Sequence, residues 1–406
     1  MSDNTGPVKS TERYIILDFL RGIALLGICL ANFQEFSLYS FLDKEVVEAF
    51  PSATADRIWR YIHYIFIDGK FYTLFSLLFG IGFSIIISNA IRKSKSGMKI
   101  FYRRMTILVL IGFAHLLLLW AGDILILYAL LGLLLPLFRN QSNKRLLIFS
   151  AILLALPIAA DALTTLFGWN PAAPAIGATQ HFHNKFGINE NNFATWLVDK
   201  KSYLDVLKFN LAGSFIRLQE FIEGNRYFKV MGLFLLGLYI GRNRIYADLG
   251  RNRNLLEKIR SYGFLIGLPL SVVYAWSAMN GHPFGLVSHS AIYAVSVLLM
   301  SLAYISAVCL WYLKNEKRRI YPVVAAPGRM ALTNYIGQSA LGIMFFYGIG
   351  FGLGASMGLV YAELIAAAVF LFQIIFSHVW LHYFQFGPLE WVWRMLTYGK
   401  FLKIKK

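Results

Sequence analysis

Long apolar runs recur along the whole chain, separated by short stretches in which charges collect. One such run, about 20 residues long, spans the hydrocarbon core of a bilayer as a single helix. In lipid, a helix also satisfies its backbone N–H and C=O groups within the segment itself. We read ten crossings, at roughly 14–34, 61–90, 105–121, 124–138, 146–168, 226–241, 262–280, 290–313, 330–352 and 357–383. The fold class expected is all-α: a polytopic membrane helix bundle of about ten transmembrane helices forming a single integral-membrane domain over residues 1–406. The composition agrees. The chain is 57% hydrophobic and 15% charged, whereas soluble domains run at roughly 45–50% apolar and 25% charged.

The net charge of +18 admits nucleic acid, anionic lipid or membrane topology as its cause, and the placement of the charges decides between them. Basic residues gather in every second loop, at about 91–104 (Arg92, Lys93, Lys95, Lys99, Arg103, Arg104), 139–145 (Arg139, Lys144, Arg145), 242–260 and 314–321 (Lys314, Lys317, Arg318, Arg319). The tail 384–406 adds Arg394 and four lysines. With ten spans these all fall on one side, which the positive-inside rule makes cytoplasmic, together with both termini. No nucleic-acid partner is needed. The alternate loops are short or balanced by acids such as Asp43, Glu45, Glu48 and Asp56.

Two segments on the other side exceed a turn, at about 35–60 and 169–225. The second ends in Leu204, Leu207, Leu211, Phe215 and Leu218 at helical spacing, which predicts an amphipathic helix on the outer surface. The tail segment Gly387–Arg394 reads as an interfacial helix with Glu390 and Arg394 four apart. The first apolar run lacks a signal-peptide n-region and a small-residue cleavage site. Cys29 and Cys309 lie in apolar runs and form no metal-ligand spacing. No nucleotide-binding glycine loop, zinc-protease helix or serine-hydrolase elbow is present. Gly80 and Gly82, and Gly348, Gly350, Gly352 and Gly354, have spacings that suit close helix packing.

Ionisable groups inside a span cost on the order of 2.5–3.5 kcal/mol each on the insertion scale, and they mark functional sites. Asp18 and Arg21 share one helix face and can pair, either as a structural lock or as part of a site. Asn32 lies three turns further along that face, as a substrate donor or a helix contact. Asp68 and Lys70 flank Gly69 where the second run can turn. His115 lies ten residues into the third span, roughly 15 Å deep. A neutral imidazole there offers one acceptor nitrogen, either for general base catalysis or for a bond to another helix. Trp120 and Asp123 lead into the fourth span, where Asp123 caps a helix or orients a histidine or a sugar. Arg103 and Arg104 are either positive-inside flanks or a phosphate clamp, and Arg329 admits the same clamp role. Asn334 and Gln338 share a face as helix glue or ligands.

Several segments, taken in order, resemble the bacterial YeiB family of multi-pass membrane proteins. They are Leu17–Gly22, Leu74–Gly80, Gly112–His115 followed by Trp120–Leu125, Gly328–Tyr335 and Gly387–Trp391. That family is similar to a wider transmembrane acyltransferase superfamily that includes heparan-alpha-glucosaminide N-acetyltransferase and glucan succinyltransferases. The resemblance implies a bacterial inner-membrane enzyme that moves an acyl group from cytoplasmic acyl-CoA, such as acetyl-CoA, to a sugar or other hydroxyl or amine acceptor, with no metal. On that reading His115 is the base or the acylated group, and Asp18 belongs with it to the catalytic set. Asn32 or Gln338 holds the oxyanion. Arg21, Arg103, Arg104 and Arg329 bind the donor. Asp123 and Asp68, with Lys70, Trp120 and Asn334, position the acceptor. In the heparan enzyme the histidine lies between the first two spans on the non-cytoplasmic side, where this chain offers His63. The YeiB-type motif falls on His115. A small-solute transporter and a non-catalytic scaffold in the membrane lipid remain as other readings.

Overall fold

The computed structural model describes residues 14–93, 97–316 and 318–406, with side chains in the first stretch up to residue 88. Lys95 and Lys317 of the basic loops lie outside the described residues, as do the side chains of Arg92 and Lys93. The first half holds α1 (Ile15–Phe36), α2 (Lys44–Ala49), α3 (Ala53–Phe66), α4 (Lys70–Lys93), α5 (Gly97–Leu118), α6 (Leu125–Leu134) and α7 (Asn143–Phe167). Next come α8 (Ala173–Phe186), α9 (Glu190–Phe193), α10 (Trp196–Asp199) and α11 (Tyr203–Glu223). The second half holds α12 (Arg226–Arg242), α13 (Arg253–Met279), α14 (Gly285–Lys314), α15 (Ile320–Arg329), α16 (Ala331–Phe346), α17 (Leu359–Tyr383) and α18 (Pro388–Tyr398).

Seven helical stretches among the described residues are long and apolar enough to cross a membrane: α1, α3 with α4 as far as Ser88, α5, α7, α13, α14 and α17. The chain is a polytopic helical bundle. The three other expected crossings form shorter helices. Residues 124–138 give α6 and a short 3-10 turn, residues 226–241 give α12, and residues 330–352 give only α16. At 1.5 Å per residue, α12 and α16 reach roughly 25 Å, less than the hydrocarbon core.

The run read as 330–352 ends early because its glycines are not helical. After Phe346 the chain turns through an irregular segment in which Gly348 N–H donates to the Leu197 carbonyl (2.7 Å). Gly352 there adopts φ +66° and Ala355 φ +57°. Gly348 and Gly354 still allow close approach, to the Val198 and Lys200 carbonyls and to Leu38 and Val198, but from a turn segment rather than between two long helices. Gly80 does serve packing: a Cβ on it would strike the Phe234 carbonyl and Gly237 of α12, so α4 and α12 meet backbone to backbone. Gly22 and Gly328 allow the same approach between α1 and α15.

The segment 169–225 folds into four helices. In α11 the apolar stripe read from the sequence is the outer face: Leu204 and Leu218 are exposed, while Val206, Phe209, Asn210, Gly213 and Arg217 face inward. The polarity of the inner face follows from the solvent. Where lipid replaces water, the apolar face can turn outward and polar groups turn in to find partners. Tyr203 Oη donates to the Leu118 carbonyl (2.5 Å), and Asn210 Nδ2 donates to the carbonyls of Leu117 (3.3 Å) and Leu119 (3.0 Å). These bonds satisfy carbonyls that the end of α5 leaves open.

Several basic segments meet at one end of the bundle. Arg242 donates to the carbonyls of Phe138, Arg139 and Gln141. Arg244 Nη2 donates to Tyr14 Oη (3.0 Å), and Trp393 Nε1 donates to the Arg104 carbonyl (3.0 Å). We call this the basic end.

Candidate functional site

A cavity of about 630 Å³ runs through the bundle, lined chiefly from α1 and α4 with further residues from α3, α5, α6, α11, α12, α14, α15, α16 and α18. At the basic end its wall carries Asp18, Arg21, Arg104, Arg329, Glu390 and Arg394. Its middle is aromatic, with Tyr72, Phe75, Phe79, Tyr128 and Tyr335. At the far end stand Asn32, Glu35, His63, Asp68, Arg217 and Arg226. The expected site residues Asp18, Arg21, Asn32, Asp68, Arg104 and Arg329 are thus brought together in one wall.

The basic end is built from local pairs. Arg21 Nη1 donates to Asp18 Oδ1 (2.6 Å), as the three-residue spacing predicts. The Arg104 guanidinium lies 3.9 Å from the Trp393 ring centroid. Glu390 accepts from the backbone N–H groups of Leu332 (2.7 Å) and Thr333 (3.1 Å) and from Thr333 Oγ1 (2.5 Å), capping α16 from outside it. Burial pushes its carboxyl above the usual carboxylate range, against the pull of those hydrogen bonds. Arg103 points elsewhere. It is exposed and lines a shallow groove with Ile107, Leu110, Ile111, Ala114 and Leu396. The two arginines expected to act as one clamp therefore serve different surfaces.

The far end forms where Gly69, at φ +75°, breaks the second crossing into α3 and α4. Asp68 Oδ2 accepts from Tyr274 Oη (2.5 Å). Lys70 is fully buried outside the wall, and its ammonium donates to the Tyr64 carbonyl (2.6 Å). His63, on α3, is 7% exposed and lines the cavity, and its Nε2 has no hydrogen-bond partner among the described residues. From α11, Arg217 reaches Glu220 (2.5 Å), Glu35 (3.7 Å) and the Ala121 carbonyl (3.3 Å). Burial, the largest influence on Arg217, pulls its basicity down. Glu220 and Glu35 together outweigh it, and the guanidinium is held above its ordinary value.

The remaining expected residues stand behind the wall. His115, 2% exposed, bonds through Nδ1 to Asp123 Oδ2 (2.8 Å) and through Nε2 to Ser339 Oγ (2.8 Å). The carboxylate selects the Nδ1–H tautomer, so Nε2 accepts from the serine. Asp123 Oδ1 also accepts from Ile126 N–H (2.8 Å), capping α6. This Asp–His–Ser chain ties α5, α6 and α16 together, and it meets the cavity through the Tyr335 ring, 5.1 Å from the imidazole. Trp120 packs on Phe36 at 4.2 Å. Asn334 Nδ2 donates to the Pro327 carbonyl (3.2 Å) and Ser377 Oγ (2.9 Å), and Gln338 Nε2 donates to Gln373 Oε1 (3.0 Å). Both amides thus join helices. Among the described residues no group of three or more His, Cys, Asp or Glu is placed to hold a metal.

Sequence reasoning gave no site role to Glu35, Arg217 or Arg226. The first carried a signal, a carboxylate one turn beyond Asn32. Arg217 comes from the outer segment 169–225, and Arg226 opens the expected span 226–241.

The comparisons with known proteins fit this architecture. YxaH of Bacillus subtilis is 31% identical over 98% of both chains. A protein from Bacillus acidopullulyticus, described as a 39.9 kDa protein in the amylase 3′ region, is 30% identical over 97% of this chain and 96% of its own. YeiB of Escherichia coli is 29% identical over 95% and 96%. The model of the family described as "Protein of unknown function (DUF418)" matches residues 240–400. The chain belongs to this YeiB-type family. All three relatives are described as uncharacterised, and no solved structure matches the chain. The family match begins at the end of α12 and takes in α15, α16 and α18, which supply Arg329, Tyr335, Ser339 and Glu390.

Proposed function

We propose that this YeiB-type protein is a membrane acyltransferase. It takes an acyl group from acyl-CoA at the basic end and delivers it to a hydroxyl or amine acceptor, such as a sugar, at the far end. The positive-inside rule makes the basic end cytoplasmic, and the bacterial relatives suit an inner membrane. The observation that carries this reading is one cavity that joins four arginines at its basic end to His63 at its far end, whose Nε2 has no partner among the described residues. Arg21, Arg104, Arg329 and Arg394 suit the phosphates of CoA. The aromatic middle suits the pantetheine arm and thioester.

His63 Nε2 has the open lone pair that His115 lacks, so His63 takes the role of base. It accepts the proton of the acceptor hydroxyl as that oxygen bonds to the thioester carbonyl carbon. Asn32 donates to the carbonyl oxygen as negative charge develops there. The carbon–sulfur bond then breaks, and the thiolate leaves and takes up the proton held on His63. The products are an ester and CoA. His115 is a positioning residue, fixing Tyr335 and the α5–α6–α16 junction.

The test is binding of acetyl-CoA and succinyl-CoA to detergent-purified protein, followed by thermal shift. Saturable stabilisation that is lost in Arg104→Ala is expected. No shift for either thioester or for free CoA would sink the reading. A cavity that reaches both ends also favours a second reading, a solute passage. Tracer flux in vesicles without chemical change of the solute would establish it.

A further inference from the structure

The far end of the cavity holds a cation that forms no ion pair among the described residues. Arg226 is the first residue of α12 and lines the cavity. It has no hydrogen bond or ion pair among the described residues, although its guanidinium lies within electrostatic reach of Glu35, Tyr72, Tyr128 and Tyr293. Every other charge nearby is engaged. Glu35 and Glu220 are drawn to Arg217. Asp68 is held by Tyr274, and Lys70 by the Tyr64 carbonyl. Asp161 accepts from Asn225 Nδ2 and Ser290 Oγ. The Lys229 ammonium sits 4.5 Å from the Tyr293 ring centroid.

The α12 N-terminus adds open backbone N–H groups, because Asn225 caps it with no side-chain bond. A second, independent signal comes from His63, which lines the same cavity and whose buried Nε2 has no partner among the described residues. His63 and Arg226 share the neighbours of one chamber. Asp68 is within electrostatic reach of His63, Tyr72 and Tyr293, and the two tyrosines are within reach of Arg226. An unpaired guanidinium, open helix N–H groups and an open imidazole lone pair together define a ligand. It carries an anionic group for Arg226 and a hydroxyl or amine proton for His63.

We infer that this chamber binds a small organic anion that also bears a hydroxyl or amine, such as a sugar acid or sugar phosphate. Calling this ligand the acyl acceptor rests on the acyltransferase reading, whereas the anion site stands on its own geometry. The anion lies on Arg226 at the head of α12 and its hydroxyl is turned toward His63.

The test uses three hexoses on the full chain in detergent at matched ionic strength: glucose, glucuronate and glucose 6-phosphate, read by calorimetry. Saturable binding of one or both anions but not of glucose is expected, and the two arms tell carboxylate from phosphate. Arg226→Gln should weaken that binding roughly 10- to 100-fold, as loss of a charged hydrogen bond does. Arg226→Lys should restore part of it, which separates a binding role from misfolding. Arg104→Gln, at the opposite end, should leave it in place. Equal binding of glucose, unchanged binding in Arg226→Gln, loss in Arg104→Gln alone, or no binding of either anion up to about 10 mM would each overturn the inference. No acyl donor is present in these titrations. Acetyl-CoA binding, measured separately on the same samples, decides the acyltransferase reading independently.

Discussion

His63 and His115 are both buried, both on membrane-crossing helices and both beside a carboxylate, yet they occupy opposite chemical situations. His115 spends Nδ1 on Asp123 and Nε2 on Ser339. His63 lines the cavity, and its Nε2 has no partner among the described residues. A histidine with both nitrogens engaged holds helices in register, and one with an open lone pair can take a proton. Depth in the membrane does not separate these cases; the hydrogen-bond inventory does.

The sharpest way to break the comparison is His63→Ala. If His63 is the base, turnover of acyl-CoA should fall about 10²- to 10⁴-fold, with the melting temperature close to that of the parent. A folded His63→Ala variant that turns over normally would remove the proposed base and return attention to His115.

The next effect separates Arg104 from Arg103. Arg104→Ala should weaken acetyl-CoA binding roughly 10- to 100-fold, as loss of a charge-assisted contact does. Arg103→Ala should leave it unchanged, because that side chain lies on an exposed groove outside the cavity. Equal losses in the two variants would mean that the basic end binds by general charge rather than by a clamp.

His115→Ala should act on stability first. It leaves buried Asp123 and Ser339 without their partner, which costs about 1–3 kcal/mol, read as a lower melting temperature. Turnover per folded molecule should fall far less than in His63→Ala. The opposite pattern, an unchanged melt with turnover abolished, would place His115 at the reacting centre.

Much of this was legible in the chain. Each of the ten apolar runs contains a helix, because a run of that length in lipid has little alternative. Asp18 and Arg21 were readable as a pair since three residues span one helical turn. The break at Asp68 and Gly69 was readable because glycine tolerates the positive φ found there. What could not be read depends on distant partners. Ser339 lies 224 residues from His115, so the closing of the imidazole's second nitrogen has no local signal. The inward polar face of α11 had no signal of its own, because an apolar stripe on a membrane helix marks the lipid side and says nothing of which polar groups turn in. Arg217 stayed out of view for that reason, and Arg226 opened an expected span without a site role.

Glu390 sharpens the comparison from the other side, because it lines the cavity and is nonetheless spent on capping α16. Glu390→Ala should cost about 1 kcal/mol, the usual loss for an N-terminal cap. Glu390→Gln keeps a carbonyl oxygen for the Leu332 and Thr333 N–H groups and should cost less. The two variants thereby separate hydrogen bonding from charge. The pH dependence supplies the sign. Burial raises the folded carboxyl above its ordinary value, so its stabilising contribution is present below the ordinary value and is lost as pH rises through the raised one. The glutamine does not ionise, so Glu390→Gln should gain on the parent as pH rises across that window. Thermal melts on both sides of the carboxylate range measure the difference. The opposite trend, with the parent gaining on Glu390→Gln as pH rises, would mean that α16 is held by the charge on Glu390 after all, and that this part of the wall keeps its anion for the cavity.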